Sequence, residues 1–275
     1  MTIDTARPAD YIRQSLNLVL GSIMWLCSSL NLFFDSARSP ADMSDSNDSL
    51  LVPFGAAFSI WLPIFVLCFI YGVLQALPRN RTEPVYRRLG WWTAAGFAGV
   101  CLWGLINAFA PMTPFDWAQW GTAIIFVPTM LLLVKAMLIA TAEKEKMTQF
   151  ERYTVHLGLS LIAGWCSIAV FLNWTPQIVS GLEGFGIKEV WICGALVLFI
   201  AIWAIHISEK SNGNGAYIFP IIWGAIFTIF ALFKESPNEN IHFVTSPLAV
   251  LIAFVFMTHF KKYTKPVSTR IFGKA

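Results

Sequence analysis

Eight apolar runs, each about 20 residues long and separated by short polar connections, leave this chain few folds to choose from. Their limits lie near 15–34, 55–77, 89–110, 118–140, 154–174, 189–208, 216–233 and 244–260. A helix of roughly 20 residues rises about 30 Å, which is the thickness of a bilayer's hydrocarbon core. Inside that layer no water serves backbone N–H and C=O groups, so each run must span as a self-satisfied helix. Only 13% of the residues are charged and 56% are hydrophobic, against a charged share near 25% in soluble domains. The expected fold class is all-α, a polytopic membrane helix bundle of about eight transmembrane helices.

Lys and Arg fall unevenly on the connections. The N-terminal head, the second, fourth and sixth loops and the tail together hold fifteen, whereas the opposite set holds only Arg38, Lys188 and Lys234. This bias puts both termini in the cytoplasm, as an even number of spans requires, and the expected location is a bacterial cytoplasmic membrane. Lys135, near the cytoplasmic end of the fourth run, can snorkel to the surface. The first external loop, residues 36–50, is acidic, rich in serine and without aromatic residues, and is expected to be mobile.

Several function classes drop out. The net charge of +3 resides in the connections, so no nucleic-acid partner is expected. Cys27, Cys68, Cys101, Cys166 and Cys193 all lie in apolar runs without CxxC spacing, which excludes a disulfide framework or zinc site. His156, His206, His242 and His259 occupy run ends and read as solvated interfacial residues, with no expected metal site. No acidic residue lies well inside a run, unlike the pattern of ion-coupled carriers. Nucleophile, zinc-protease and phosphate-loop motifs are all missing, so no enzymatic activity and no catalytic residue are expected.

What remains is aromatic. Trp91, Trp92, Trp117, Trp120, Trp174 and Trp191 sit at the ends of runs, where an interfacial belt explains them. Trp61, Trp103, Trp165, Trp203 and Trp223 lie deeper, and each indole N–H there needs a partner. In the fifth run Trp165, Ala169, Leu172 and Asn173 share one helical face, so that face must meet protein, a cavity or a ligand. Small residues at helix-packing spacing, Ala94 with Ala98, Ala95 with Gly99 and Ser160 with Gly164, allow close approach within the protomer or in a homodimer.

Taken together, these elements resemble the TspO/translocator protein family, the tryptophan-rich sensory proteins. Pro53, Gly55, Phe58, Ile60, Trp61 and Phe65 stand where that family's second helix carries its Pro, Gly and aromatic pattern. Trp103 matches the indole of the third helix's Asn-x-x-Trp element, with Val100 in place of the amide. Trp165, Ala169, Leu172 and Asn173 match the fifth helix in register, while Leu161 and Ile162 stand where Pro and Tyr belong. The likeness covers roughly residues 14–174. It implies a cytoplasmic head (1–14), a TspO-like five-helix bundle (15–174), a three-helix extension (175–263) and a basic tail (264–275).

The resemblance also implies a function. Such a protein binds a planar or rigid hydrophobic ligand, tetrapyrrole- or sterol-like, in an intramembrane pocket, with a sensory or regulatory role. By position the lining would be Ala57, Phe58, Ile60, Trp61, Trp103, Ile106, Trp165, Ala169, Leu172 and Asn173. No resident cofactor is implied, a tetrapyrrole entering only as ligand, and the expected partners are the bilayer and that small molecule. The alternative reading is a multi-pass transporter of a small hydrophobic metabolite, with Pro63, Pro128, Pro220 and Pro247 as bends.

Overall fold

Proline, short polar caps and left-handed turns set where the helices begin and end. The computed structural model describes residues 5–45, 49–109, 117–235, 244–245 and 248, and no strand occurs among them. Helix α1 spans Pro8–Ser28 and α4 spans Pro84–Phe109, each opening on a proline whose missing N–H costs nothing in a first turn. A short helix α2 covers Pro40–Asp45, and a 3₁₀ turn, Gly55–Ile60, leads into α3, Trp61–Ala76. Helix α5 runs Trp117–Glu143.

One helical turn, α6 (Gln149–Glu151), is closed by a reciprocal cap: Glu151 N–H donates to Thr148 Oγ1 and Thr148 N–H donates to Glu151 Oε2. A π-helical turn, Arg152–His156, then continues into α7, Leu157–Glu183. Helices α8 (Glu189–Lys210) and α9 (Gly215–Glu235) are joined by a tight turn in which Asn212 and Gly213 take φ of 56° and 72°. Asn214 then caps α9, its Oδ1 accepting from Ala216 N–H at 3.1 Å.

Helix α7 is the hub. Every residue from 158 to 170 is buried, because α3, α5, α8 and α9 all pack on it. Ser167 ties two of these neighbours: Trp203 Nε1 of α8 and Tyr217 OH of α9 donate to its Oγ at 3.0 and 3.1 Å. Gly164 lets α9 lie against α7 so closely that a Cβ there would collide with the Tyr217 carbonyl. Thus the Ser160 and Gly164 pair is used inside the protomer. One apolar core continues from Met24 of α1 to Ile221 of α9.

The outward faces are apolar as well. On α3, Leu62, Val66, Phe69 and Val73 form an exposed stripe at helical spacing, and Phe219, Ile226, Phe230 and Phe233 do so on α9. Among the described residues six helices are long and apolar enough to cross a membrane, beginning with the one that contains α3. Trp91, Trp117 and Trp191 are exposed near helix ends, as belt residues would be. Lys135 projects from the exposed face of α5.

Helix α1 is less apolar because its buried face is polar. Arg13 is 1% exposed and donates to the Tyr86 and Arg81 carbonyls at 3.0 and 2.7 Å and to Gln75 Oε1. Asn17 Nδ2 donates to the Gly90 carbonyl at 2.7 Å, while its Oδ1 accepts from Thr93 at 2.6 Å. Asp10 is held by Arg87 at 2.7 Å. Gly72 and Gly90 make room: a Cβ at Gly72 would meet the Asn17 carbonyl at 2.7 Å, and one at Gly90 would meet Arg13 Cδ at 2.5 Å. This network fastens α1 to α3 and α4.

Three boundaries differ from the sequence reading. The first helix starts at Pro8 rather than near residue 15 and stops at Ser28 rather than near 34, because its polar side chains are buried in protein instead of ending the span. The fifth span continues beyond residue 174 to Glu183, through Pro176. Part of the first external loop is folded: Ser39 Oγ accepts from Asp42 N–H at 3.1 Å, Asp42 Oδ2 accepts from Ser39 N–H at 2.8 Å, and Pro40 starts α2. The eighth run, 244–260, lies almost entirely outside the described residues.

Gly164→Val is expected to push α9 off α7 and cost about 1–3 kcal/mol as an overpacked contact. Gly181→Ala, where nothing lies within 4 Å of the added methyl, should leave stability unchanged or slightly higher. Thermal unfolding midpoints of the two purified variants in detergent make the comparison.

Candidate functional site

The stripe on α7 faces the lead-in turn of α3, and the aromatic side chains between them form one cluster. Trp61 stacks on Phe65 with ring centroids 5.0 Å apart and on Trp103 at 5.9 Å. Trp165 meets Trp61 and Phe58 edge-on, at 6.1 and 5.9 Å. Trp103 in turn lies 4.9 Å from Phe126 of α5. Offset and edge-on arrangements are those that the ring quadrupoles favour.

Polar groups fix the frame. Trp103 Nε1 donates to Asn173 Oδ1 at 3.0 Å, and Asn173 Nδ2 donates to the Ala169 carbonyl at 2.8 Å, so the carboxamide joins α4 to α7. Trp223 Nε1 of α9 donates to the Ala57 carbonyl at 2.8 Å and holds the lead-in turn in place. Two indoles are different. Trp61 Nε1 and Trp165 Nε1 are buried and have no hydrogen-bond partner among the described residues. Trp165 itself is fully buried. Of the five deep tryptophans, then, Trp103, Trp203 and Trp223 find acceptors and two do not.

A cavity of about 70 Å³ opens between these residues. Phe58, Trp61, Trp103, Trp165, Ala169, Leu172 and Asn173, seven of the ten positions singled out in the sequence, line it. Ala57, Ile60 and Ile106 do not. Ala57 and Ile60 are buried in the lead-in turn, and Ile106 approaches Gly121 of α5 instead. Further lining comes from Pro40, Val52 and Pro53 at the first loop and from Asn107, Gln119 and Pro176. Of these, Pro40 follows a Ser-Pro-Ala-Asp cap that the sequence displays at 39–42, and Pro176 follows from continuing the α7 stripe one turn.

Among the described residues no charged side chain lines the cavity. It offers stacking faces, a wall left low by Ala169 and donors without acceptors, which suits binding. At about 70 Å³ it is smaller than the roughly 300–1,000 Å³ of pockets that enclose drug-sized ligands.

His156, which the sequence suggested was solvated, is instead 7% exposed and within hydrogen-bonding distance of Thr141 Oγ1, at 3.2 Å. The cause is α9, whose cap residue Asn214 covers it. His206 is exposed.

A family model described as TSPO-like protein matches residues 14–259. The match runs through the region after residue 174 that the sequence resemblance left uncovered. No curated protein and no solved structure matches the chain.

Asn173→Leu is expected to strand the Trp103 N–H in an apolar surrounding and to destabilise the bundle by about 1–3 kcal/mol. Asn173→Asp, which keeps an acceptor for that N–H, should recover part of the loss. The unfolding midpoints of the two variants, compared with the parent chain, check this.

Proposed function

The chain belongs to the TSPO-like protein family, and on that footing we propose that it binds a small, largely apolar, planar ligand between α3, α4 and α7. The class is tetrapyrrole- or sterol-like, and the role is sensory or regulatory. The observation that carries this reading is the pair of unpartnered indole N–H groups on Trp61 and Trp165, two residues that line one cavity. A buried donor without an acceptor costs about 1–3 kcal/mol, and more in hydrocarbon. A ligand that brings a carbonyl or carboxylate oxygen to both donors recovers that cost, while its flat body takes the place of ring-on-ring stacking. Admission requires the stack of Trp61 with Phe65 and Trp103 to part, so binding is coupled to movement of the lead-in turn.

Charge bias in the connections supports placing both termini in the cytoplasm of a bacterial cell, with the aromatic cavity toward the outer end of the bundle. This puts the ligand site within reach of molecules dissolved in the outer leaflet.

Quenching of tryptophan fluorescence in the purified full-length chain tests the reading. Protoporphyrin IX should quench saturably and bind more tightly than octaethylporphyrin, which has no carboxylate. Ala169→Phe should abolish quenching with the unfolding midpoint unchanged, and Trp165→Phe should narrow the gap between the two porphyrins. Unaltered affinity in Ala169→Phe would sink the pocket assignment, and ligand counterflow in proteoliposomes would move the reading to a carrier.

A further inference from the structure

At the opposite, Lys- and Arg-rich end of the bundle lies a second cavity that shares no residue with the aromatic one. It measures about 1,060 Å³, large enough for a whole small molecule or a lipid headgroup with part of its backbone. Its walls are the connection from α5 to α7, including the π-helical turn, and the α8–α9 turn with the first residues of α9. Single π-turns inside helices recur at functional sites.

Its chemistry is cationic and hydrogen-bonding. Lys144, Arg152 and His156 line it, against Glu145 as the acidic member. Arg152 is engaged by Glu145 at 3.1 Å and by the Met147 carbonyl at 3.3 Å. Lys144 has no ion-pair partner among the described residues, so the positive charge at this wall is uncompensated.

Polar side chains are also built in behind it. His156 is 7% exposed and Asn214 is 8% exposed, and both reach the cavity. Asn214 Nδ2 donates to Ser160 Oγ at 2.8 Å and approaches His156 Nε2 at 3.5 Å, where Thr141 Oγ1 also lies. With Nε2 engaged in this way, His156 Nδ1 makes no hydrogen bond with any described residue, and it is not among the fully enclosed unpartnered atoms. As His156 lines the cavity, this nitrogen is the one left to meet a ligand there. The N-terminus of the 21-residue helix α9 faces the same space through Gly215 and Ala216 and adds the positive end of a helix dipole, with the Ala216 N–H taken by the Asn214 cap and the Gly215 N–H left for a ligand.

We propose that this cavity is a second binding site, for an anionic group of the phosphate or carboxylate class, held by Lys144, His156 Nδ1 and the start of α9. Met147 and Leu157 give it an apolar flank on the bundle side, which accommodates a carbon skeleton attached to the anion. The group is supplied either by a soluble phosphate ester or by an anionic lipid headgroup, since both present the same oxygens.

Two arms on the full-length chain separate these sources. In phosphatidylcholine nanodiscs, titration calorimetry with glycerol 3-phosphate reads the soluble source. Native mass spectrometry from mixed phosphatidylcholine and phosphatidylglycerol micelles reads retained headgroups. Saturable binding near one equivalent in either arm is expected, weakened about tenfold by Lys144→Gln through loss of a charge-assisted contact. Lys146→Gln serves as the control, because Lys146 pairs with Glu143 at 2.7 Å and does not line the cavity. His156→Gln should weaken binding as well, with the unfolding midpoint of each variant recorded to exclude misfolding. No saturable binding in both arms, or equal losses in Lys144→Gln and Lys146→Gln, overturns the proposal.

Discussion

Helix α7 cannot face lipid along its middle, because residues 158–170 are buried on every side, and the rest of the bundle is arranged around that fact. Lipid offers little hydrophobic driving force between helices, so enclosure has to come from close packing and hydrogen bonds. The chain supplies both. Gly158 and Gly164 admit α3 and α9 at near-backbone distance, while Ser160 and Ser167 accept donors from α8 and α9 and from the turn between them. Trp165 sits in the middle of this enclosed stretch, which is why its indole N–H has no water to fall back on.

Polar burial is handled in two opposite ways in this molecule. Around Arg13, carbonyls, amides and a hydroxyl converge until only its Nε is left without a partner, and the result is a joint between α1, α3 and α4. Around Trp61 and Trp165, donors are left over. A satisfied network contributes specificity of packing, whereas unsatisfied donors beside a cavity raise the free energy of the empty state and so favour whatever brings acceptors. What sets the two indoles apart from Arg13 Nε is that Trp61 and Trp165 line a cavity.

Much of the bundle was legible in the sequence because hydropathy reports the lipid-facing requirement directly. The helices that became α4, α5, α8 and α9 lie within a few residues of the apolar runs. The i, i+4, i+7 and i+8 spacing of Trp165, Ala169, Leu172 and Asn173 did place these residues on one cavity. Hydropathy was blind where polar residues are buried in protein rather than exposed to water. Asp10, Arg13 and Gln14 read as a polar head, yet with Asn17 of the first run they form the inner face of α1. His156 read as solvated for the same reason, since its cover comes from Asn214, 58 residues away. The first loop concealed a cap that composition averaged away, and Ile106, which the resemblance placed in the lining, approaches Gly121 of α5.

The hydrogen bonds on α7 also order events in time. Ser160 is separated from its donor Asn214 by 54 residues, and Ser167 from Tyr217 by 50. A ribosome adding about 5–20 residues per second delivers those donors roughly 3–10 seconds after Ser160 and Ser167 themselves. Until Trp203, Asn214 and Tyr217 are made, the hydroxyls of Ser160 and Ser167 have the helix's own carbonyls, at His156 and Ala163, and the glycine groove lacks α9. Insertion of this protein therefore contains a waiting step, in which a helix destined for the centre must be kept from lipid or from wrong partners until the last described helix arrives to close over it.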